Sequence, residues 1–153
     1  VGTVTGEADD VVAAVMMKVL GDVTGRTVQI FPATSAVRLV AMMTGDAEPE
    51  FPGGFTEEHQ ATLKEVGNII VGAYLNALSD FMGLLLIMSV PAIAIDMAGA
   101  VMTTSYLNFG EEQDHVLCVN TGMIMGEERI RGHFLLIPDS DSLQIMLRKI
   151  KLA

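Results

Sequence analysis

Glu65 and Asn68 are the two side chains whose types and spacing suggest chemistry. They lie three residues apart in Thr56–Gly83, where apolar residues recur every three or four positions, as in a helix that buries one face. At about 100° per residue, such a helix points both side chains to the same side, one turn apart. A carboxylate pairs with cations, whereas a carboxamide offers a donor and an acceptor without charge. The spacing therefore predicts a polar site on the exposed face, with the small residues Ala61 and Gly72 beside it.

The same stretch carries the signals that position this pair. Thr56 is a suitable N-cap, and Glu57 and Glu58 follow where the helix dipole favours acids. The apolar period predicts a buried stripe on the opposite side of the helix. Its members are Leu63, Val66, Ile70, Ala73, Tyr74, Ala77, Leu78 and Phe81.

Charge and hydropathy limit what this helix belongs to. Nineteen acids against nine bases give a net charge of −10, which argues against nucleic acid or an anionic membrane as a partner. The longest apolar run, Met82–Ile95, is shorter than the ~20 residues that span a bilayer. No basic and apolar leader begins at Val1, so we expect a cytoplasmic protein.

The chain before the long helix reads as a hairpin followed by a helix. Val11–Leu20 and Arg26–Phe31 are predicted strands joined by a glycine-rich turn, and Pro32 ends the second strand. Thr34 or Ser35 is then expected to cap a short helix.

After the long helix, Leu84–Val90 is predicted as a buried strand closed by Pro91. The apolar segment Ala92–Tyr106 is predicted as a second apolar helix. Near the end of the chain, Asp139 or Ser140 is expected to cap a last helix.

The order strand, turn, strand, proline and helix occurs twice along the chain. His115–Met125 and Arg129–Ile137 form the second predicted hairpin, and Pro138 follows it as Pro32 follows the first. The recurrence predicts an α/β protein of α+β type. Its mostly antiparallel sheet is made of two pseudo-symmetric strand-hairpin-helix halves packed against long helices.

The repeat also predicts the domain organisation. We expect a single domain over residues 1–153, with a first half at 1–44, a linker at 45–55 and a second half at 56–153. The first half lacks the helix and strand that precede the second hairpin. We therefore expect a homodimer, or an exposed edge at the first hairpin.

The segment Leu63–Gly83 resembles the signature helix of the CheC/CheX/FliY chemotaxis phosphatases, and of CheC in particular. The pattern of that family is Glu, two residues, Asn, twenty-two residues and Pro. Glu65, Asn68 and Pro91 match it at the same separations. The family often has Asp or Ser at the position of Ala61, which is a departure.

The resemblance implies a CheC-like fold and hydrolysis of the aspartyl phosphate on a CheY-like response regulator. In this reading Asn68 orients the attacking water and Glu65 pairs with a lysine of the regulator. Pro91 has a structural role, and Ala61 and Gly72 let the regulator approach the helix closely. The regulator supplies Mg²⁺, so the chain needs no cofactor of its own.

Three other interpretations stay open. Taken alone, Glu-x-x-Asn is an ordinary solvated helix face. A CheC-like chain that lacks catalysis would be a binding module for a response regulator or for the receptor deamidase CheD. A component of the flagellar switch, as in FliY, would be expected to carry additional domains.

No rival chemistry is visible in the sequence. His59, His115 and His133 have no metal-ligand spacing with one another or with Cys118, the single cysteine. Phosphate-binding glycine loops and nucleophile-elbow motifs are also missing. Glu65 and Asn68 are the pair that remains.

Overall fold

The computed structural model describes residues 10–98, 100–101, 117–125 and 128–152. Along these ranges the elements follow in the order β1, β2, α1, α2, β3, β4, β5, β6 and α3. The strands are β1 (Val11–Gly21), β2 (Gly25–Pro32), β3 (Leu86–Met88), β4 (Ala92–Met97), β5 (Leu117–Met125) and β6 (Glu128–Pro138). The helices are α1 (Ala33–Thr44), α2 (Glu57–Met82) and α3 (Ser140–Leu152).

All six of these strands belong to one antiparallel sheet, in the order β3-β1-β2-β6-β5, with β4 also paired to β1. The sheet is buried on both faces along β1. Ala13 and Val15 face the main core, to which α1, α2 and α3 contribute, whereas Val12 and Ala14 face a smaller core with Ala98. The mixed α+β architecture with an antiparallel sheet confirms the predicted fold class.

The two predicted hairpins are present, and they meet in the middle of the sheet. β1 pairs with β2 and β5 pairs with β6, while β2 and β6 lie side by side from Gly25 opposite Pro138 to Ile30 opposite His133. In the second hairpin, Met125 lies opposite Glu128, as a two-residue connection requires. The sequence predicts a turn at residues 126–128; residues 126–127 lie outside the described part of the chain, and Glu128 is the first residue of β6.

A serine near the start of a helix fastens each hairpin to the other. Ser35 of α1 donates its hydroxyl proton to the carbonyl oxygen of Arg131 in β6, at 2.6 Å. Ser142 of α3 accepts from the backbone N–H of Thr24, beside the turn of the first hairpin, at 2.8 Å. The two halves thus hold each other by similar contacts, in agreement with the internal repeat.

The predicted cap of α1 is wrong. No side chain caps this helix, and its N-cap residue is Pro32. Ser35 is buried, and its hydroxyl bonds to β6 instead of to its own helix. A tertiary hydrogen bond has replaced the local one that the sequence suggested.

The predicted apolar helix at Ala92–Tyr106 is also wrong over its first part. Ala92–Met97 is strand β4, which pairs with β1 so that Ile95 lies opposite Ala13. Ile93 and Ile95 alternate along it and pack against the main core, as a two-residue period requires. Helical backbone begins only at Ala98, and residues 102–106 lie outside the described part of the chain.

The segment before β4 is an edge of the sheet, in contrast to the predicted buried strand at Leu84–Val90. β3 covers only Leu86–Met88, and the Val90 side chain is 86% exposed. Met88 lies opposite Val19 and Ala92 lies opposite Met16. Three residues therefore face two between these pairs, which is a β-bulge.

Pro91 lies in this bulge, between two strands. The sequence predicts that it separates a strand from a helix, and this prediction is wrong because β4 follows it. Ser89 fixes the bulge: its backbone N–H donates to the Lys18 carbonyl at 2.9 Å, and its Oγ accepts from the Lys18 N–H at 2.8 Å. A proline has no N–H to give to the strand ladder, so an edge bulge suits it.

The expected open edge at the first hairpin is not found. β1 is covered by β3 and β4, and β2 is covered by β6. The strand that precedes the second hairpin in sequence lies beside the first hairpin in space. Strands from the second half of the chain therefore cover both edges of the first hairpin, for which the sequence predicts no covering strand.

Helix α2 begins and ends as the sequence predicts. Thr56 Oγ1 accepts from the N–H of His59 at 3.2 Å, and the N–H of Thr56 donates to His59 Nδ1 at 3.1 Å. This reciprocal pair is a capping box with histidine in place of the usual acid. Gly83 ends the helix with φ of 67°. Among the described residues, neither α2 nor another helix is long and apolar enough to cross a membrane.

Asp139 caps α3, as predicted, and ties it to the first hairpin. Its Oδ1 accepts from the N–H of Ser142 at 2.8 Å, and Thr24 Oγ1 donates to its Oδ2. Burial raises the pKa of the Asp139 carboxyl, but hydrogen bonds from Thr24 and Ser142 outweigh this effect. The pKa therefore lies below the ordinary value of 3.8.

We expect Asp139→Asn, which keeps a capping oxygen but cannot ionise, to lower the free energy of unfolding by about 0.5 kcal/mol at neutral pH. The charge contribution should be fully present above pH 3.8 and lost as the pH falls through the lower folded-state pKa. Urea unfolding at pH 7 and pH 3 measures it, with Asp141→Asn as the control in the same turn. A difference between wild type and Asp139→Asn that is constant with pH would contradict this prediction.

Candidate functional site

Glu65 and Asn68 lie on the side of α2 that turns away from the sheet. Glu65 is exposed and Asn68 is half-buried, and a helix places their directions about 60° apart. Within the described ranges, neither side chain makes a hydrogen bond or an ion pair. Their polar atoms are therefore available to a partner molecule.

The surface around this pair is more apolar than the sequence predicted. Ile69, next to Asn68, is 58% exposed, and Ala61 is exposed one turn before Glu65. Gly72 is half-buried one turn after Asn68. The structure thus places Ala61 and Gly72 beside the pair, as predicted, and adds Ile69 as an exposed apolar contact.

The buried stripe of α2 is only partly the predicted one. Leu63 and Val66 are buried as expected, and Ile70, Tyr74 and Leu78 are half-buried. Ala73, Ala77 and Phe81 are exposed, with Phe81 60% exposed. The buried positions in the second half of the helix are Val71, Leu75 and Met82. An α-helix has 3.6 residues per turn, so the residues that face the sheet change gradually along a helix of this length. A single straight stripe that starts at Leu63 therefore predicts the wrong buried positions in the second half of α2.

Gly67 sets the distance between α2 and the sheet. A Cβ built at this buried glycine would lie 2.8 Å from Cβ and Cγ1 of Val15 in β1. A side chain is therefore excluded where the helix crosses the strand. The close contact directly precedes Asn68 in sequence, so it also fixes how far Asn68 stands from the sheet.

Pro91 lies in the bulge between β3 and β4, at the neighbouring edge of the sheet. Met88, just before the bulge, reaches α2 with its terminal methyl 3.3 Å from the position that a Cβ on Gly72 would take. The segment that contains Pro91 thus flanks the same helix as Glu65 and Asn68.

An apolar cavity of about 280 Å³ opens beside Ile69. It lies between α1, α2, β2, β5 and β6, and Tyr74 stacks on Phe134 near it with ring centroids 4.9 Å apart. No local sequence pattern predicts this cavity, because its walls come from five separate elements. The lining residues are Phe31, Leu39, Ile69, Ile70, Ala73, Tyr74, Gly122, Ile130, Arg131 and Gly132.

Metal ligation finds no support in the described part of the chain. No group of three or more His, Cys, Asp or Glu side chains is close enough there to hold an ion. His59 caps α2, and His133 lies in β6. The site as described offers a carboxylate, a carboxamide and apolar surface, which is suited to binding a partner and orienting a small polar molecule.

Comparison with known proteins identifies the family. A model of the CheC-like family matches residues 58–95, a range that includes Glu65, Asn68 and Pro91. The CheY-P phosphatase CheC of Bacillus subtilis is 32% identical over 144 residues, which cover 91% of this chain and 68% of that protein. The chain belongs to the CheC-like family. The predicted resemblance is confirmed.

Solved structures agree with a CheC-like fold. FliY of Thermotoga maritima matches with a TM-score of 0.68 and 16% identity, covering 94% of this chain and 72% of FliY. A chain of the CheX-CheY-BeF3-Mg²⁺ complex of Borrelia burgdorferi matches with a TM-score of 0.56 and 19% identity, covering 84% and 76%. At these identities the likeness shows the shared fold.

The contact at Gly67 gives a stability prediction. Gly67→Ala should lower the free energy of unfolding by about 1 kcal/mol or more, since the branched Val15 side chain cannot yield easily. Gly72→Ala is the matched control, because it meets only the flexible end of Met88 and gains helix propensity of up to about 1 kcal/mol. Urea denaturation of both variants measures the difference. Equal stabilities would show that the close approach at Gly67 is not a constraint.

Proposed function

We propose that this CheC-like chain is a phosphatase that hydrolyses the aspartyl phosphate of a CheY-like response regulator. The observation that carries the proposal is the Glu65–Asn68 pair, presented outward on α2 without a hydrogen-bond partner among the described residues. A relative with 32% identity over most of the chain is a CheY-P phosphatase. The solved complex of CheX with CheY, BeF3 and Mg²⁺ supports a regulator of the CheY type as the partner.

Asn68 is proposed to orient the water that attacks the phosphoryl group. Phosphoryl transfer requires an attacking oxygen in line with the leaving oxygen, and enzymes achieve this mainly by positioning and electrostatics. A carboxamide accepts a hydrogen bond from the water and donates one nearby, without a charge to repel the phosphate. Asn68 is half-buried and directly follows Gly67, where the helix packs closely on β1. This position limits how far the Asn68 side chain can move.

Glu65 is proposed to dock on a cationic group of the regulator. Its exposed carboxylate lies one turn from Asn68, so an ion pair there would set the register of α2 in the active site of the regulator. Ala61 and Gly72 leave room for the regulator on either side of the pair, and Ile69 adds apolar contact area. Pro91 is proposed to shape the edge strand beside α2.

Cofactor chemistry is proposed to belong to the regulator. A Mg²⁺ ion bound there would neutralise charge on the phosphoryl oxygens, as in other phosphoryl transfers. This chain would then contribute only the oriented water and the docking carboxylate. A lysine of the regulator would be the partner of Glu65.

CheD and a second copy of the chain are further proposed partners. The outer edge of β3 and β4 carries the exposed apolar side chains of Ile87 and Val90, and within the described ranges these strands pair only with β1. An edge of this kind is suited to covering by another protein chain.

A docking module without turnover is the second candidate function, favoured by the exposed Ala61 where the family often has an acid or serine.

The phosphate lifetime of candidate regulators tests the proposed function. A sub-stoichiometric amount of this protein should clear many equivalents of phosphorylated regulator, because a catalyst turns over. An effect on the phosphate lifetime that requires one molecule of this protein for each molecule of regulator, without turnover, would instead support the docking module. An unchanged lifetime for all cognate regulators would remove the phosphatase proposal.

Asn68→Ala should lower turnover by about one to three orders of magnitude, since it removes an interaction made chiefly in the transition state. Regulator affinity and melting temperature should change little, because alanine is a good helix former and Asn68 makes no hydrogen bond among the described residues. Asn76→Ala, an exposed asparagine on the same helix, is the matched control and should keep full activity. A folded Asn68→Ala protein with wild-type turnover would show that Asn68 is not the catalytic residue.

Glu65→Lys should weaken regulator binding and reduce its dependence on salt, because an attractive charge pair becomes repulsive. Asp80→Lys makes the same charge change about 22 Å away along α2 and should have a much smaller effect. Binding isotherms at two ionic strengths provide the measurement. Equal losses in both variants would mean that only the net charge of the chain matters.

A further inference from the structure

A second cavity, of about 580 Å³, lies on the other side of the contact between α1 and β6. Arg38 and Thr34 of α1 line it, together with Arg129, Arg131 and His133 of β6. It shares Ile130, Arg131 and Gly132 with the apolar cavity beside α2, but neither Glu65 nor Asn68 is among its lining residues. Its chemistry is therefore separate from that of the proposed phosphatase site.

The charge in this cavity is opposite to that of the protein. The chain has nine lysines and arginines against nineteen acids, and three of those nine bases line this one cavity. No acid is among the residues that line it in the described part of the chain. A bound anion would be attracted by all three guanidinium groups.

The strand geometry holds the basic groups together. Arg129, Arg131 and His133 alternate along β6, so their side chains leave the same face of the sheet. Ser35 anchors α1 at this place by donating to the Arg131 carbonyl at 2.6 Å, which brings Arg38 to the opposite wall. Partial burial lowers the pKa of the His133 imidazole, so the arginines supply the positive charge at neutral pH.

Arg129 is additionally positioned by a glycine on the neighbouring strand. A Cβ built on Gly122 would lie 2.9 Å from Nε and 3.2 Å from Nη2 of Arg129. The guanidinium group thus lies directly over the backbone of Gly122. A larger residue at that position would move this guanidinium group away.

We propose that this cavity is a binding site for a small phosphate compound that carries at least two negative charges. Arginine forms paired, charge-assisted hydrogen bonds to phosphate oxygens, and three arginines from two elements surround a volume suited to a small molecule. Thr34 in the first turn of α1 adds a hydroxyl, and no side chain caps that helix, so its N-terminal amides favour an anion nearby. The concave shape favours a compact ligand over a protein surface.

Pyrophosphate is the first probe, with citrate as a carboxylate of similar charge. Titration calorimetry on the full chain at about 0.15 M salt should detect pyrophosphate binding, and pyrophosphate should raise the melting temperature above that in sodium chloride of equal ionic strength. Binding of citrate alone would show a polycarboxylate site and overturn the phosphate assignment. No binding of pyrophosphate under these conditions would overturn the proposal outright.

The double variant Arg129→Gln with Arg131→Gln should weaken pyrophosphate binding by about tenfold or more, because two charge-assisted contacts are lost. The matched control is Arg148→Gln with Lys149→Gln, which makes the same charge change on the exposed face of α3. Melting temperatures of both variants verify that they fold. Equal weakening in the two variants would mean diffuse attraction without a site, and it would overturn the proposal.

Gly122→Ala separates position from charge. It keeps every basic residue, and it displaces only the flexible end of Arg129, so stability should be preserved while pyrophosphate binding weakens several-fold. Wild-type affinity in this variant would contradict the arrangement described for Arg129. A glutamate-rich peptide that binds more tightly than pyrophosphate would identify an acidic protein segment as the occupant and overturn the small-ligand proposal.

Discussion

The close packing of α2 on β1 at Gly67 is the constraint on which the described surface depends. With no side chain at this position, the helix backbone lies directly against Val15, and the residues that follow are fixed relative to the sheet. Asn68 stands at the border between buried and exposed, while Glu65 points outward. Steric contact on the buried side of α2 thus determines what the exposed side presents, and neither Glu65 nor Asn68 makes a hydrogen bond among the described residues.

Two surfaces of opposite character result from the way the halves of the sheet join. On one side, α2 presents a carboxylate, a carboxamide and the exposed Ile69 next to an apolar cavity. On the other, α1 and β6 gather arginines around a basic cavity. Arg131 borders both cavities, and its carbonyl receives the hydrogen bond from Ser35 that joins α1 to β6. An acidic protein can in this way present a localised positive surface close to the face of α2 that carries Glu65.

Features fixed by neighbouring residues could be predicted from the sequence, and features fixed by distant contacts could not. The hairpins, the Thr56 cap and the Glu65–Asn68 spacing are local, and the structure contains all of them. The sequence analysis assigns Ile93 and Ile95 to a helix, because an apolar run with alanine between the isoleucines fits the helical period as well as the strand period. Only the pairing of this segment with β1 shows that it is a strand. Ser35 looked like a cap because its real acceptor, in β6, is far away in sequence. Both cavities were missed for the same reason, since their walls come from separate elements.

The pairing of β2 with β6 has a consequence for how the chain reaches its native state. Gly25 lies opposite Pro138, so these partners are 113 residues apart in sequence. Each hairpin forms from local contacts, but the seam between them closes a very long loop, and loop closure of this kind slows folding. During synthesis, the first hairpin must wait until β6 has emerged, with the apolar edge of β2 uncovered in the meantime. Folding of this protein therefore depends on the late synthesis of β6. Until β6 pairs with β2, aggregation through the uncovered edge of β2 competes with folding.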